Sequence, residues 1–401
     1  MAQISRGGLG AAGGSSDFCR VLLSCFLAFL LPNAVRSADA SQAWAIEDVY
    51  LGGDGGWNID MAVDPFGQLH AGFYTLGGNF QYLTRQGGTW NLQKTFSNGD
   101  DLALDNFGRP SVLGRFSAPY NLSSSTKQDD GTWAPQTVAL APVSATAKLL
   151  FDSSNRPNIA YINPQAKELR LTRFNGSSWD TRVVGTGLAF RFGNSSFAFD
   201  LDNSDQAHFA WSNDASELVY AKPNGDSWQI AGVAGAYDDS ISDLQVDAAG
   251  NVHLSFSRYT GFVSTGGLHY AQLNGDTWSV ERLNGLLGFA PDLSKIAIDS
   301  EGNPHLFTMD QGFSGPKFLK HIYWANNSWQ IEVIDQWTSN ISGPEAISVA
   351  VGKDGFHVLY ATGNENLHHA FLAVPEPSAL ALASTAFVAL GMICRRSVRR
   401  R

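Results

Sequence analysis

From residue 41 to residue 373 the chain is written in short alternations of apolar and polar positions, runs of about 4–8 residues separated by turn residues, which is the period of half-buried strands. Ala62-Val63-Asp64-Pro65-Phe66-Gly67-Gln68-Leu69-His70 is one such unit: an apolar strand ends on an aspartate, a Pro-Phe-Gly turn reverses the chain, and a second strand opens. The segment returns at Asp105 with Gly108, Asp152 with Asn155, Asp247 with Gly250 and His253, and Asp299 with Gly302 and His305. Two copies read as distorted: Asp200 to His208 is two residues longer, and Gly352 to His357 is one shorter with glycine in place of the aspartate. A third strand follows, as in Gly267-Leu268-His269-Tyr270-Ala271, and Asn274-Gly275 then favours a tight hairpin into a fourth strand opened by Trp278.

The tryptophans that open this fourth strand are Trp44, Trp90, Trp133, Trp179, Trp228, Trp278 and Trp329, spaced by 46, 43, 46, 49, 50 and 51 residues. One small sheet of that length cannot bury both of its faces alone, so the repeats must stack radially against each other. The predicted fold is all-β: a seven-bladed β-propeller of four-stranded antiparallel blades. Trp44 precedes the first aspartate turn and no tryptophan follows the last one. Trp44 to Tyr50 is therefore expected to supply the fourth strand of the final blade, whose other three strands come from residues 346–373. Closure of this kind removes two open strand edges and clamps the ends of the body together.

Composition narrows the chemistry. In 401 residues, 41 glycines, 12% aromatic and 16% charged residues suit tight turns and packed sheets. Cys19, Cys25 and Cys394 all lie outside the body, which therefore has no disulfide, thiolate metal site or cysteine nucleophile. Between Ser41 and Ala373, 19 Lys and Arg stand against 34 Asp and Glu, a net charge of −15 that disfavours nucleic acid as a partner.

The two ends carry an address. Residues 1–40 hold Arg6 and Arg20, an apolar run from Val21 to Leu31, and Ala38-Asp39-Ala40, the layout of a signal peptide cleaved by signal peptidase after Ala40. The run is too short to span a bilayer. Residues 374–401 open with Val374-Pro375-Glu376-Pro377-Ser378, continue through an uncharged stretch at 379–394 that reads as a transmembrane segment, and end with five arginines among the last seven residues, which mark the cytoplasmic side. This three-part tail resembles the PEP-CTERM sorting signal of exported proteins of Gram-negative bacteria that make exopolysaccharide. The resemblance implies an exosortase-type enzyme that recognises Pro375, Glu376 and Pro377 and removes or replaces the tail. It also implies a protein transiently anchored in the inner membrane, then delivered to the cell envelope or extracellular matrix.

His70, His208, His253, His305 and His357 hold equivalent places in separate blades, too far apart to share one ion, and are expected to hydrogen-bond the aspartate turn of their own blade. The repeat resembles propeller units of sialidase-like and lectin-like exported bacterial proteins. The Asp-box of sialidases is absent, however, and no arginine triad stands out among Arg109, Arg115, Arg173, Arg191 and Arg258. Propeller sites lie where the loops from outer to next inner strand meet the second-to-third-strand loops. Here those loops hold Trp57, Tyr237, Asp238, Asp239, Tyr259, Phe262, Phe313 and Trp337, aromatic faces beside carboxylates that suit the C–H face and hydroxyls of a sugar. Asp60, Asp101 and Asp243 each stand four residues before a turn aspartate and define an acidic rim near the channel mouth, a candidate Ca2+ position. No other cofactor is indicated: phosphate loops, zinc spacings and nucleophile elbows are missing. The expected function is binding of glycan or another surface component without catalysis. A glycan-acting hydrolase or lyase would need two carboxylates at catalytic separation on the loop face, and a structural matrix protein would use a blade side for protein partners.

Overall fold

The structure, a computed structural model, describes residues 43–373 except 116–120, 140–146, 190–196, 238, 259–266, 284–292, 311–315, 339–345 and 363–365. Within them 28 strands, β1 to β28 in chain order, form seven four-stranded antiparallel sheets. Blade 1 is β2 (Gly55–Val63), β3 (Leu69–Thr75), β4 (Asn79–Gln86) and β5 (Thr89–Ser97), and the next five blades repeat that order. Blade 7 is β26 (Ile347–Val351), β27 (Gly355–Ala361), β28 (Leu367–Ala373) and β1 (Ala45–Tyr50). The first strands of the blades are β2, β6 (Gly99–Leu104), β10 (Ala147–Phe151), β14 (Phe197–Leu201), β18 (Asp239–Val246), β22 (Ser294–Ile298) and β26. Each touches the next, and β26 returns to β2, which closes the ring. Closure follows the tryptophan count: β1 runs antiparallel to β28 from Ala45 opposite Phe371 to Tyr50 opposite Leu367.

Burial follows position in the blade. β3 and β27 are almost wholly buried because neighbouring blades cover both faces of a second strand, whereas β5 on the rim is mostly exposed. The apolar clusters straddle seams: Ile162 and Leu171 of blade 3 pack with Phe209 and Trp211 of blade 4, and Phe307 of blade 6 packs with Val358 and Tyr360 of blade 7. Each fully buried side chain of this size contributes about 1.5–3 kcal/mol, so the seam between blades is the unit of stability.

The first-to-second-strand turn explains the aspartate. In blade 1, Asp64 Oδ1 accepts the N–H groups of Phe66 at 2.9 Å and Gln68 at 2.8 Å. The residue three beyond the aspartate is left-handed, with φ 86° at Gly67, 79° at Gly108, 58° at Asn155, 85° at Gly250 and 86° at Gly302. Blade 4 corrects the sequence reading. Its turn aspartate is Asp202, not Asp200: Asp202 Oδ1 accepts from Ser204 and Gln206, both at 2.8 Å, and Asp205 takes the left-handed place at φ 59°. The turn is thus of ordinary length, disguised because an aspartate stands where glycine or asparagine usually does. In blade 7, Gly352 and Gly355 do close a shorter hairpin, and Asp354 supplies the missing carboxylate to His357 at 3.1 Å.

The expected signal peptide 1–40 and sorting tail 374–401, with Pro375, Glu376, Pro377 and the 379–394 span, lie outside the described residues. Among the described residues no helix is long and apolar enough to cross a membrane.

Candidate functional site

Five blades carry a polar relay from the turn across the sheet. His208 places Nε2 3.3 Å from Asp202 and Nδ1 2.6 Å from the Tyr220 hydroxyl, and His253 repeats this with Asp247 at 3.4 Å and Tyr270 at 2.6 Å. His70 has the Tyr82 hydroxyl at 2.8 Å, while Asp64 stands back at 3.7 Å. In blades 6 and 7 an imidazole replaces the tyrosine: His305 Nδ1 lies 2.8 Å from His321, and His357 Nδ1 lies 3.1 Å from His369. Four of the five turn histidines therefore reach the turn carboxylate of their own blade, as expected, and His70 bonds only Tyr82. Burial pushes the pKa of all five down; for His305 the facing imidazole adds to burial and takes it to about 4. Blades 2 and 3 carry Ser111 and Asn158 in the histidine's place, and there Arg109 and Arg156 hold Asp105 and Asp152 at 2.8 and 2.7 Å.

Asp60, Asp101 and Asp243 do sit on the inner strands, but they are not an open acidic rim. The same register is occupied by Lys148 in blade 3 and Lys295 in blade 6. Lys148 Nζ donates to Asp101 at 2.7 Å and to Asp60 at 3.3 Å, and Lys295 lies 3.8 Å from Asp243. The other oxygens of Asp101 and Asp243 accept the backbone N–H groups of Leu149 at 2.7 Å and Ile296 at 2.9 Å on the following inner strand. Ser348 does the same for Met61 at 3.0 Å across the closing seam. These acids latch one inner strand to the next. Sequence reasoning missed this because it collected only carboxylates at that register, and the cations lie one blade further on. Burial pushes the Asp101 carboxyl up to about 7 against the pull of Lys148. Beside it Asp100 receives Arg115 in a two-pronged pair, both arms at 3.1 Å. Among the described residues no group of three His, Cys, Asp or Glu side chains gathers as a metal would require.

The residue three beyond the fourth-strand tryptophan seals three of the seams. Trp44-Ala45-Ile46-Glu47, Trp278-Ser279-Val280-Glu281 and Trp329-Gln330-Ile331-Glu332 share one pattern, and each glutamate accepts the indole N–H of the tryptophan in the next blade. Trp329 donates to Glu281 at 2.8 Å, Trp44 to Glu332 at 2.8 Å, and Trp90 to Glu47 at 2.9 Å. In blades 1 to 4 that position is Gln93, Gln136, Arg182 and Ala231, and the seams beyond blades 1 and 3 open into clefts. The cleft between blades 1 and 2 is about 360 Å³, lined by Gln68, Gln86, Gln93, Gln128, Arg109 and Lys127, with the buried His70 Nε2, which makes no hydrogen bond, at its wall. The cleft between blades 3 and 4 is about 150 Å³, and the Nε of Arg173 borders it without an acceptor. Phe66 and Phe107, 85% and 64% exposed, stand on the turns that precede the lining residues Gln68 and Gly108, and the Arg109 guanidinium lies over the Phe107 ring at 5.2 Å. The Trp-x-x-Glu pattern is broken in all of blades 1 to 4, so the sequence narrows the open seams to four without singling out this cleft.

Of the loop-face candidates, Asp238, Tyr259, Phe262 and Phe313 lie outside the described residues. Trp57 and Asp239 are placed by backbone alone, on β2 and β18, as is Tyr237 at the end of β17 (Ser227–Tyr237). Trp337 ends β25 (Ser328–Trp337) half-buried in the seam between blades 6 and 7. Its ring lies 6.0 Å from Tyr360, whose hydroxyl donates to Asp335 at 2.6 Å.

No family model matches the chain, and no curated protein matches it. Among solved structures, an ulvan lyase of a polysaccharide lyase family, bound to -[GlcA(1-4)Rha3S]-, aligns with a TM-score of 0.58 at 8% identity over 81% of this chain and 95% of its own. A protein of unknown function from Dyadobacter fermentans aligns with a TM-score of 0.48 at 12% identity, over 82% and 98% of the two chains. The Aleuria aurantia lectin in complex with Fucα1-6GlcNAc aligns with a TM-score of 0.47 at 14% identity, over 73% and 99%. The body is thus a seven-bladed β-propeller with polysaccharide lyase and lectin structural neighbours.

Proposed function

We propose that this protein is an exported β-propeller of the bacterial cell envelope or extracellular matrix that binds glycan without catalysis, and that a sugar residue sits in the cleft between blades 1 and 2. The cleft carries this reading. Its volume of about 360 Å³ suits one sugar residue with attendant water. The amides of Gln68, Gln86, Gln93 and Gln128 each offer a donor and an acceptor, the combination that matches neighbouring hydroxyls. Phe66, two residues before Gln68 of the lining, offers an exposed ring for the C–H face of the sugar. Lys127, whose ammonium makes no ion pair among the described residues, favours a carboxylate or sulfate on that sugar in a body of net charge −15. The fold shared with a saccharide-bound lyase is compatible with this class of ligand. The signal peptidase and an exosortase-type enzyme are its processing partners in this reading, acting after Ala40 and at Pro375-Glu376-Pro377.

The test is a glycan array probed with residues 41–373, with and without calcium, followed by mass analysis of any bound sugar. Lys127→Ala and Trp337→Ala variants locate the site. Unmodified glycan held by the parent and by Trp337→Ala but not by Lys127→Ala supports the cleft. Loss confined to Trp337→Ala would move the site to the loop face with Trp57, Tyr237, Asp238, Asp239, Tyr259, Phe262 and Phe313. Shortened glycan would make the protein an enzyme, and silence on every sugar would point to protein partners.

A further inference from the structure

Counting hydrogens divides the five relays into two kinds. In blades 1, 4 and 5 the histidine Nδ1 meets a tyrosine hydroxyl, which can donate to it; Nε2–H then meets the turn aspartate in blades 4 and 5, where a neutral imidazole fills both contacts, and in blade 1 it points toward Asp64 at 3.7 Å without a hydrogen bond. Blades 6 and 7 instead string carboxylate, imidazole, imidazole and carboxylate through three contacts. In blade 6 they are Asp299 to His305 at 3.4 Å, His305 to His321 at 2.8 Å and His321 to Glu332 at 2.8 Å. In blade 7 they are Asp354 to His357 at 3.1 Å, His357 to His369 at 3.1 Å and His369 to Glu47 at 2.8 Å. Two neutral rings bring only two hydrogens to three contacts, which leaves one contact with lone pairs facing each other. A third hydrogen completes the string and makes one ring of the pair an imidazolium.

We propose that each of these imidazole pairs holds one shared proton at neutral pH, and that the two protons lock the closing strand β1 into the ring. The charges around the pairs favour this. The blade 6 pair faces Asp299 from the turn and Glu332 from β25, and is otherwise walled by the rings of Phe307, Tyr323, Phe356 and Trp44. The blade 7 pair faces Asp354 and Glu47, with Arg85 bonded to the far side of Glu47, and is walled by Phe371 and Trp90. An imidazolium between two carboxylates leaves the blade 6 string at one negative charge instead of two; with Arg85 the blade 7 string is neutral. Burial opposes any charge on these rings, and each facing imidazole resists a second proton. Two flanking carboxylates and an otherwise unmade buried hydrogen bond, itself about 1–3 kcal/mol, favour the first.

The blade 7 string ends on the closing strand itself, and the blade 6 string ends on Glu332 of β25, the carboxylate that receives Trp44 just ahead of β1. Glu47 belongs to β1, and it collects Arg85 and Trp90 of blade 1 as well as His369. Trp44, one residue before β1, packs edge-on against His321 at 5.6 Å and donates to Glu332. Loss of the blade 7 proton opens a gap in a string that β1 terminates, and loss of the blade 6 proton loosens Glu332, the acceptor that holds Trp44 at the start of β1.

Nitrogen-15 correlation spectra of the protein labelled at histidine test this, since only nine histidines are present. The expected result at neutral pH is three protonated ring nitrogens of four in each pair, against neutral rings with the hydrogen on Nε2 for His70, His208 and His253. As pH rises the blade 7 pair releases its proton first, because Arg85 lies near it and among the described residues no cation is found to act on the blade 6 pair. A His321→Tyr, His369→Tyr variant installs the residue used in blades 1, 4 and 5, and is expected to lose both protons and the alkaline loss of stability that follows their release. Only two hydrogens on each pair at neutral pH would overturn the proposal, as would an unchanged alkaline profile in the tyrosine variant.

Discussion

Blade 1 meets its two neighbours in different ways. On the side of blade 7, Glu47 receives the Trp90 indole at 2.9 Å, the Arg85 guanidinium at 2.7 and 3.0 Å, and His369 at 2.8 Å. On the side of blade 2 the equivalent position is Gln93; Trp133 packs edge-on against Tyr82 and Phe96 at 5.5 and 4.8 Å, and a cleft of about 360 Å³ remains. The same repeat, with one residue changed three places beyond a tryptophan, either welds two blades or leaves room for a ligand. The weld occurs at both seams that hold the closing strand and also between blades 5 and 6.

The largest effect should come from breaking the welded side outright. Deleting residues 44–50 removes β1 from blade 7 and takes Glu47 and Trp44 with it, so the body should lose its cooperative thermal transition, a loss of at least about 5 kcal/mol. Calorimetry that still showed one sharp transition would mean that closure is not needed. Next, Glu47→Ala strands Arg85, Trp90 and His369 together and should cost about 2–3 kcal/mol in urea denaturation. The figure sits below that of a fully buried pair because the Glu47 and Arg85 side chains are 29% and 35% exposed. By contrast Lys127→Ala, on the open side, should leave stability within about 0.5 kcal/mol.

Acid should separate the two kinds of seam as well. His305 and His369, pushed down to about 4 by burial and by interaction with neighbouring groups, bind fewer protons folded than unfolded between that value and the ordinary 6.5. This is the second proton of each pair: its exclusion from the folded state contributes fully above about 6.5, where the first proton is still held, and that contribution is lost as pH falls toward about 4, by roughly 3 kcal/mol at most for each. Hydrogen exchange should show strands of blades 6 and 7 opening first in that window, while blades 2 and 3, held by Arg109 and Arg156, lag behind. Uniform opening around the ring would contradict this division. The smallest effect is a gain: Gln93→Glu recreates the Trp-x-x-Glu pattern, offers an acceptor to the Trp133 indole, and should add about 1 kcal/mol.

Much of the ring could be read from the sequence because its causes are local. Aspartate turns, Asn-Gly hairpins and evenly spaced tryptophans specify blades one by one, and the unmatched Trp44 specifies closure. Asp202 was misassigned because an aspartate replaced the expected left-handed glycine, a substitution that only backbone geometry exposes. The inner-strand pairs of Lys148 and Lys295, the relays from His305 and His357, and the cleft behind Gln93 were not read. Each joins residues of different blades or strands whose side-chain aim depends on register. The Trp-x-x-Glu pattern itself was visible, but its meaning lies in the tryptophan of the next blade, roughly one repeat away.

The most direct test of the contrast is calorimetric titration of the best glycan from the array into the parent protein and into Gln93→Glu. Binding by the parent that weakens at least about tenfold, about 1.4 kcal/mol, in a variant that is equally or more stable is the result expected if the open seam is the ligand site. Undiminished binding by a stable Gln93→Glu variant would contradict it, and would leave the broken pattern at blade 1 without a function.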